Sequence, residues 1–230
     1  MAKRIAILQS SYIPWKGYFD LIRAVDEFIL FDDVQYTRQD WRNRNIVKTP
    51  RGAQWLTVPV KGKGKFGQTI EETLVSDPHW ARRHWQVIAH NYRGAPFFAQ
   101  YRPAFETAYL ECREERLSRI NHRFLTLICS LLNIRTKISW SRDYVVSEGK
   151  TQRLVELCRQ AGATEYLSGP AARDYIQPEL FAEGGIGLRY VDYDGYPEYP
   201  QLFPPFEHKV SVVDLLFNTG PDALRHMKAL

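Results

Sequence analysis

The chain has 230 residues, of which 44% are apolar and 25% are charged, and its formal net charge is +5. This is an ordinary globular composition, and the length is compatible with one large domain. The apolar run at residues 5–8 is too short for a signal peptide and no segment approaches a membrane span, so we expect a cytoplasmic protein without stable membrane insertion.

The positive charge is concentrated in the first third of the chain. Residues 1–66 contain 12 Lys and Arg against 6 Asp and Glu, a net charge of 12 − 6 = +6, so the remainder sums to −1. This local field favours an anionic small molecule, such as a nucleotide-linked sugar, as the ligand. A nucleic-acid groove is the broader alternative, but long basic clusters are absent and we predict no nucleic-acid partner.

The first elements predict a parallel sheet. An apolar strand at residues 4–8 is followed by a helical spacing of apolar residues at 17–25 and a second apolar strand at 27–31. In such a β-α-β start, residues 9–15 and 32–36 lie at the carboxyl ends of neighbouring strands, where open α/β sheets bind ligands.

The rest of the chain continues the alternation of strands and helices around a helical middle segment. We expect strands at 55–60, 69–75, 137–140, 165–167 and 188–193, and helices at 79–92, 97–110, 115–134, 151–161 and 211–218. The predicted fold class is α/β, a mostly parallel Rossmann-like central sheet with helices on both faces. We expect a single domain over residues 1–230, with a helical lobe at about 77–135.

The segment at residues 32–52, DDVQYTRQDWRNRNIVKTPRG, is the strongest candidate for a binding site. It combines adjacent carboxylates with Trp41 and a run of planar, multi-donor Arg and Asn side chains, which suit the recognition of carboxylate, phosphate or sugar hydroxyl groups. The alternative is a polar loop whose Trp packs back onto the body of the protein. Asp32 and Asp33 should point to opposite faces of the strand. One could act as a general base or bind Mg²⁺ through a phosphate, with the other as an anchor, although a carboxylate there can also cap a turn.

Other motifs exclude several kinds of site. Gly62, Gly64 and Gly67 spell GxGxxG, but no helix is predicted to follow, so KGKGKFG is either a mobile loop that closes over an anion or a solvated turn. No Walker A sequence is present. The three His of the helix at 79–92 are five and six residues apart, which argues against zinc, and the three Cys are expected to be small buried hydrophobes. We predict no metal site, and neither a cofactor nor an oligomeric state is identified by the sequence.

Four blocks carry a resemblance to a known family: IAILQSSYIPWKGYFDLI, FDDVQYTRQDWRNRNIVKTPRGAQWLTVPV, EYLSGPAARDYI and YPQLFPPFEHKVSVVDLLFNTGP. In order and spacing they resemble the WbqC-like family of bacterial proteins, from about residue 5 to residue 221. Members of that family often accompany genes for O-antigen or other surface polysaccharide synthesis, which implies a transferase acting on glycan precursors, with glycine as one suggested group. Members commonly show His-Gln-Pro where this chain has Leu8, Gln9 and Ser10.

The residue chemistry and the resemblance together give one mechanistic hypothesis. Asp32 or Asp33 takes a proton from the acceptor amine or hydroxyl of a sugar or sugar-nucleotide as it attacks an activated acyl or aminoacyl carbonyl. Phosphates contact Arg42, Arg44 and Lys48, while Asn43 and Asn45 contact hydroxyl or carbonyl groups. The remaining candidate substrate-binding residues are Gln9, Tyr12, Trp15, Gln35, Tyr36, Trp41, Ser168 and Gly169. A non-catalytic sugar-nucleotide or glycan-binding protein is the alternative, and a nucleic-acid binder is a weaker one.

Overall fold

A computed structural model describes residues 2–145 and 149–228. The strands are β1 (Arg4–Leu8), β2 (Glu27–Leu30), β3 (Arg44–Thr49), β4 (Gly52–Thr57), β5 (Lys137–Trp140), β6 (Glu165–Ser168) and β7 (Gly187–Tyr190). Five of them form a central parallel sheet in the order β5-β2-β1-β6-β7. A separate antiparallel hairpin pairs β3 with β4. The predicted parallel, Rossmann-like α/β architecture is therefore confirmed.

Helices cover both faces of the sheet. Side chains alternate along a strand, so Ala6 and Phe28 join one core while Ile5 and Ile29 join the other. The helices are α1 (Lys16–Arg23), α2 (Trp80–Tyr92), α3 (Phe98–Leu110), α4 (Leu117–Leu131), α5 (Lys150–Gln160), α6 (Pro178–Glu183) and α7 (Val212–Thr219). The larger core contains apolar residues of α1–α4 and α7, and the smaller core contains those of α5 and α6. Within the described ranges, no helix is both long and apolar enough to cross a membrane.

The strand order reverses next to β1. The chain goes from β1 to β2 and β5 on one side, and then returns to form β6 and β7 on the other side. The carboxyl ends of β1 and β6 therefore flank a topological switch point, the position at which open α/β sheets bind ligands. Gln9 follows β1, and Gly169 follows β6.

The predicted strands between residues 44 and 75 differ most from the structure. β4 begins earlier than the expected strand at 55–60, and its partner β3 was not predicted. The signal was hidden because three polar residues of this segment, Asn45, Lys48 and Thr49, are buried, which breaks the apolar alternation. The hairpin closes at Gly52, whose φ of +100° suits glycine.

The expected strand at residues 69–75 is wrong. This segment forms turns, with isolated bridges from Gln35 to Thr69 and from Val60 to Val75. The backbone N–H and the hydroxyl of Thr69 both donate to Glu72 Oε2, at 2.9 and 3.0 Å. Such local side-chain to backbone bonds compete with a strand ladder, which explains the difference.

A glycine in α1 gives a stability test of the packing beside the switch point. A Cβ atom at Gly17 would lie 2.3 Å from the ring of Trp15, whereas one at Gly94 meets nothing within 4 Å. We expect Gly17→Ala to lower the free energy of unfolding by about 1–3 kcal/mol through overpacking, although alanine is the better helix former. Gly94→Ala is the matched control and should be neutral. Urea denaturation measures both, and equal stability of the two variants would contradict the close approach of the Trp15 ring to Gly17.

Candidate functional site

The carboxyl ends of β1 and β2 meet at a buried carboxylate. Asp32, two residues after β2, is 1% exposed, and its Oδ1 accepts a hydrogen bond of 2.7 Å from the backbone N–H of Ser10, two residues after β1. Neighbouring parallel strands bring these two positions together, because Leu8 and Leu30 are paired in register. The site therefore lies at the edge of the sheet that the sequence indicated.

Three buried polar atoms around Ser10 make no hydrogen bond: Asp32 Oδ2, Arg42 Nε and Asn121 Oδ1. Asn121 Nδ2 donates to Ser10 Oγ and to the carbonyl oxygen of Arg42, both at 2.9 Å. Arg42 Nη1 donates to the carbonyl oxygen of Gln9 at 3.2 Å. We call Ser10, Asp32, Arg42 and Asn121 the Asp32 cluster. Buried polar groups are normally paired, so the unpaired oxygens of Asp32 and Asn121 make this cluster the candidate site for a hydrogen-bonding group.

The environment of Asp32 changes its acidity. Burial raises the pKa of Asp32 to about 6, while the hydrogen bond from Ser10 and the positive charge of Arg42 act in the opposite direction. Arg42 is itself close to a second carboxylate, because its Nε lies 3.6 Å from Asp40 Oδ2. A carboxylate with a pKa near neutrality and a free oxygen can accept a proton from a reacting group.

Asp33 lies on the other side of the strand end, as predicted for an adjacent residue. Its Oδ1 accepts a 2.6 Å hydrogen bond from the Ser141 hydroxyl, and its Oδ2 is paired with the guanidinium group of Arg153. Arg153 also lies over the Phe31 ring, 4.8 Å from its centroid. Both oxygens of Asp33 are engaged, so its geometry is that of an anchor between β2, β5 and α5.

A cationic cluster at the end of β5 was missed in the sequence. The guanidinium groups of Arg119 and Arg142 lie 4.9 and 4.8 Å from the ring centroid of Trp140, and the His122 ring lies 5.2 Å from the same ring at a tilt of 30°. Arg142 also pairs with Glu71 at 3.0 Å, and the backbone N–H of Glu71 donates to the carbonyl oxygen of Asp32. The sequence WSR at residues 140–142, at the end of a predicted strand, was the signal from which this cluster could have been found.

Comparison with known proteins places these residues in a family. The family model described as "WbqC-like protein family" matches residues 9–226. The chain belongs to the WbqC-like family. It is also 52% identical over 229 residues to "Uncharacterized protein Rv1507c" of Mycobacterium tuberculosis (strain ATCC 25618 / H37Rv), covering 98% of this chain and 99% of that protein. No solved structure matches.

The other polar residues of the WRNRN segment of this WbqC-like protein hold the hairpin in place. Asn43 Nδ2 donates to the carbonyl oxygen of Val58 at 2.8 Å, and Asn45 Nδ2 donates to that of Tyr12 at 3.1 Å. Lys48 is 3% exposed and its Nζ donates to the carbonyl oxygen of Pro205. Of the three cationic residues predicted to contact phosphates, only Arg42 reaches the Asp32 cluster, because Arg44 lies over the Trp55 ring and Lys48 is bonded to Pro205.

The aromatic candidates divide between core and surface. Tyr12 is fully buried, and its hydroxyl hydrogen-bonds with His84 Nδ1 at 2.8 Å and with the Tyr109 hydroxyl at 2.7 Å. It belongs to the core and does not form a ligand wall. Tyr36 is also buried, and Trp15 packs against the rings of two tyrosines that follow β7.

Three further candidates lie at the surface or at the switch point. Trp41 is 42% exposed, and Gln35 is exposed beside the bridge to Thr69. Ser168 is buried with its hydroxyl 3.3 Å from that of Tyr166, and Gly169 opens the short 3-10 helix Pro170–Asp174. The WbqC-like fold thus places Gln9, Ser168 and Gly169 at the switch point, while Trp41 and Gln35 face solvent.

Clefts and metal-ligating groups do not mark the Asp32 cluster. A cleft of about 410 Å³ lies between α2 and α3 beside Trp85, and one of about 440 Å³ lies between α4 and β5 beside His122. Neither is lined by Asp32 or Arg42. In the part of the chain that the structure describes, no three His, Cys, Asp or Glu side chains are grouped to hold a metal ion. Asp32 is 1% exposed, so its carboxylate is shielded from solvent in this structure.

Proposed function

We propose that this WbqC-like protein transfers an acyl or aminoacyl group, such as glycyl, to the amine or hydroxyl of a sugar or sugar-nucleotide that serves as a surface-polysaccharide precursor. The observation that carries the proposal is Asp32, a buried carboxylate with a free oxygen and a pKa raised by burial to about 6. Perturbed acidity of this kind is concentrated at functional sites.

A comparison within β2 supports this role. Glu27 begins the same strand and is equally buried, but Lys3, Ser139, Tyr144 and Lys137 all bond to its carboxylate. Burial alone would raise the pKa of Glu27, yet these bonds lower it to about 2. The fold therefore surrounds the charge of Glu27, at the amino end of the strand, with bonding partners. It leaves Asp32, at the carboxyl end, able to accept a proton.

The proposed step is a nucleophilic acyl substitution. The nitrogen or oxygen of the acceptor attacks the carbonyl carbon of an activated acyl or aminoacyl donor, and a C–N or C–O bond forms. The bond from that carbon to the activating group breaks, and the leaving group keeps the electron pair. Asp32 Oδ2 takes the proton that the acceptor loses, which makes Asp32 the general base.

The charges at this edge of the sheet favour an anionic substrate. Arg42 contributes to the Asp32 cluster, Arg153 lies beside Asp33, and Arg119 and Arg142 lie on Trp140. Guanidinium groups bind phosphate through paired, charge-assisted hydrogen bonds. A nucleotide-linked sugar has the phosphates that such groups would hold near the base.

The test is a screen for product combined with a pH profile. The protein is incubated with nucleotide-linked amino sugars and activated acyl or aminoacyl donors, and intact product masses are recorded. For the productive pair we expect kcat/KM to rise with pH and to level off above about pH 6, because Asp32 must be ionised to act as a base. A rate that does not change between pH 5 and pH 8 would rule out Asp32 as the base.

A non-catalytic binding protein is the second candidate, favoured by the 1% exposure of Asp32 and the absence of that residue from both clefts. It predicts that a nucleotide-linked sugar binds in calorimetry, that no product mass is found, and that Asp32→Asn leaves the affinity unchanged.

A further inference from the structure

Aromatic and basic side chains are exposed together on neighbouring turns outside the Asp32 cluster. Phe66 is 92% exposed, and Trp41 and Trp55 are 42% and 44% exposed. The lysines around Phe66 are exposed as well. We call this set the aromatic-basic surface: Trp41, Trp55, Lys61, Lys63, Lys65 and Phe66.

Two contacts hold the lysine-rich turn against the turn that carries Trp41. The guanidinium group of Arg38 donates a hydrogen bond to the carbonyl oxygen of Gly62. The backbone N–H of Tyr36 donates one to the carbonyl oxygen of Gln68 at 2.9 Å. The Trp41 ring lies 5.4 Å from the Trp55 ring, and Arg44 lies 4.2 Å from the Trp55 centroid. The exposed rings are thus parts of adjoining segments.

The backbone of the lysine-rich turn presents Phe66 to solvent. Gly64 and Gly67, on either side of Phe66, have φ values of +73° and +82°, which make a tight turn that other residues adopt with strain. A phenylalanine that is 92% exposed contributes little to the core. Its apolar area therefore remains available for transfer out of water.

The local charge identifies the kind of partner. Residues 61–68 contain three exposed lysines and no acidic residue, a local net charge of +3. Exposed aromatic rings combined with lysines suit the interface of an anionic bilayer, where the rings enter the acyl boundary and the ammonium groups stay at the phosphates. A single nucleic-acid strand is the competing partner, because bases also stack on exposed rings beside basic groups. We favour the bilayer because Phe66, 92% exposed, projects from its turn as insertion at the acyl boundary requires.

We propose that the aromatic-basic surface docks this protein reversibly on anionic lipid bilayers, with Phe66 inserted at the acyl boundary. Trp41 is the residue next to Arg42, and its carbonyl oxygen accepts a 3.0 Å hydrogen bond from Tyr12 N, so the surface adjoins the Asp32 cluster. Docking would bring that cluster close to the bilayer surface.

The experiment is co-sedimentation of the full chain with vesicles of phosphatidylcholine alone or mixed with phosphatidylglycerol. We expect binding only to the mixed vesicles, and weakening of that binding with salt. Each of Lys63→Gln and Lys65→Gln should lower the partition coefficient about five-fold, and Phe66→Ser should lower it about ten-fold. Val145→Ser, at a position 89% exposed elsewhere, and Arg159→Gln are matched controls that should bind like the unaltered protein.

Three results would overturn the proposal: no sedimentation with either vesicle, equal sedimentation with both, or no effect of the Phe66 and lysine substitutions. In the first of these cases, binding to a single-stranded oligonucleotide that the same substitutions remove would assign the surface to nucleic acid instead. Each of these leaves the transferase proposal standing, because acyl transfer to a water-soluble acceptor does not require a bilayer.

Discussion

Asp32→Asn is expected to abolish transfer and, at pH 7, to raise the free energy of unfolding by up to about 3 kcal/mol. The pKa of Asp32 rises from 3.8 to about 6 on folding because the carboxylate is buried. Folding therefore favours the protonated form. The ionised carboxylate opposes folding at neutral pH, and the neutral amide of asparagine removes this cost.

The sign of the pH dependence follows from the same shift. Between about pH 4 and pH 6 the folded protein retains a proton that the unfolded chain has lost, so the stability falls as the pH rises through this window. Above pH 6 the contribution is constant. Chemical denaturation of the unaltered protein and of Asp32→Asn at pH 4, 5, 6 and 7 measures this pH dependence of stability. The Asp32→Asn variant should lack the slope between pH 4 and pH 6.

Asp33→Asn is the matched control for Asp32→Asn. Asp33 follows the same strand, but its carboxylate is paired with Arg153 and accepts a hydrogen bond from the Ser141 hydroxyl. Its replacement by asparagine should therefore destabilise the fold by about 1 kcal/mol. A gain in stability with loss of transfer is specific to a functional carboxylate. If Asp32→Asn destabilises the fold, or if it retains full transfer, Asp32 is a structural residue.

Glu27→Gln is expected to have the opposite effect and to lower the free energy of unfolding at pH 7 by about 2–3 kcal/mol. Lys3 Nζ lies 2.6 Å from one carboxylate oxygen of Glu27, and Lys137 Nζ lies 2.9 Å from the other. The hydroxyls of Ser139 and Tyr144 donate to the same carboxylate, both at 2.6 Å. The amide cannot accept all of these bonds, and the value is reduced because Lys137 is largely exposed to water.

The pH dependence of Glu27 is that of a carboxylate whose pKa is lowered on folding. Burial acts to raise the pKa of Glu27, but the four partners bring it from 4.5 to about 2. The stabilisation is complete above about pH 4.5 and is lost as the pH falls toward 2. Glu183→Gln, at an exposed position of α6, is the control and should leave the acid-unfolding curve unchanged. An unaltered curve for Glu27→Gln as well would contradict the network.

Most of the central fold was predictable from local pattern. The strands β1, β2 and β5 and the helices α2, α3, α5 and α7 lie within one residue of the ranges that apolar spacing indicated, while α4 begins two residues later and ends three residues earlier than expected. Ser211 caps α7 by accepting a hydrogen bond from Val213 N. The prediction failed where side-chain hydrogen bonds or buried polar residues interrupt the apolar pattern. The Thr69 to Glu72 bonds turn a strand-like segment into turns, and buried Asn45 and Lys48 conceal β3.

The candidate site was predictable in place and only partly in composition. The parallel β1–α1–β2 start locates the carboxyl edge of the sheet and puts Asp32 and Gln9 there, since paired parallel strands end together. The partners of Asp32 depend on long-range contacts. Asn121 reaches Ser10 across 111 residues, and Trp140 gathers Arg119 and Arg142 from two elements.

The sequence by itself determined the α/β architecture, the family and the edge at which the acidic pair lies, because these depend on short-range spacing and on residue identity. Only the tertiary structure decided which buried carboxylate has hydrogen-bond and ion-pair partners for its charge. Glu27 and Asp32 are both acids at the ends of one buried strand, yet four partners from distant segments surround Glu27, while one oxygen of Asp32 is left without any. The acidity of a buried group is set by what the fold packs against it, and that information is absent from its neighbours in the chain.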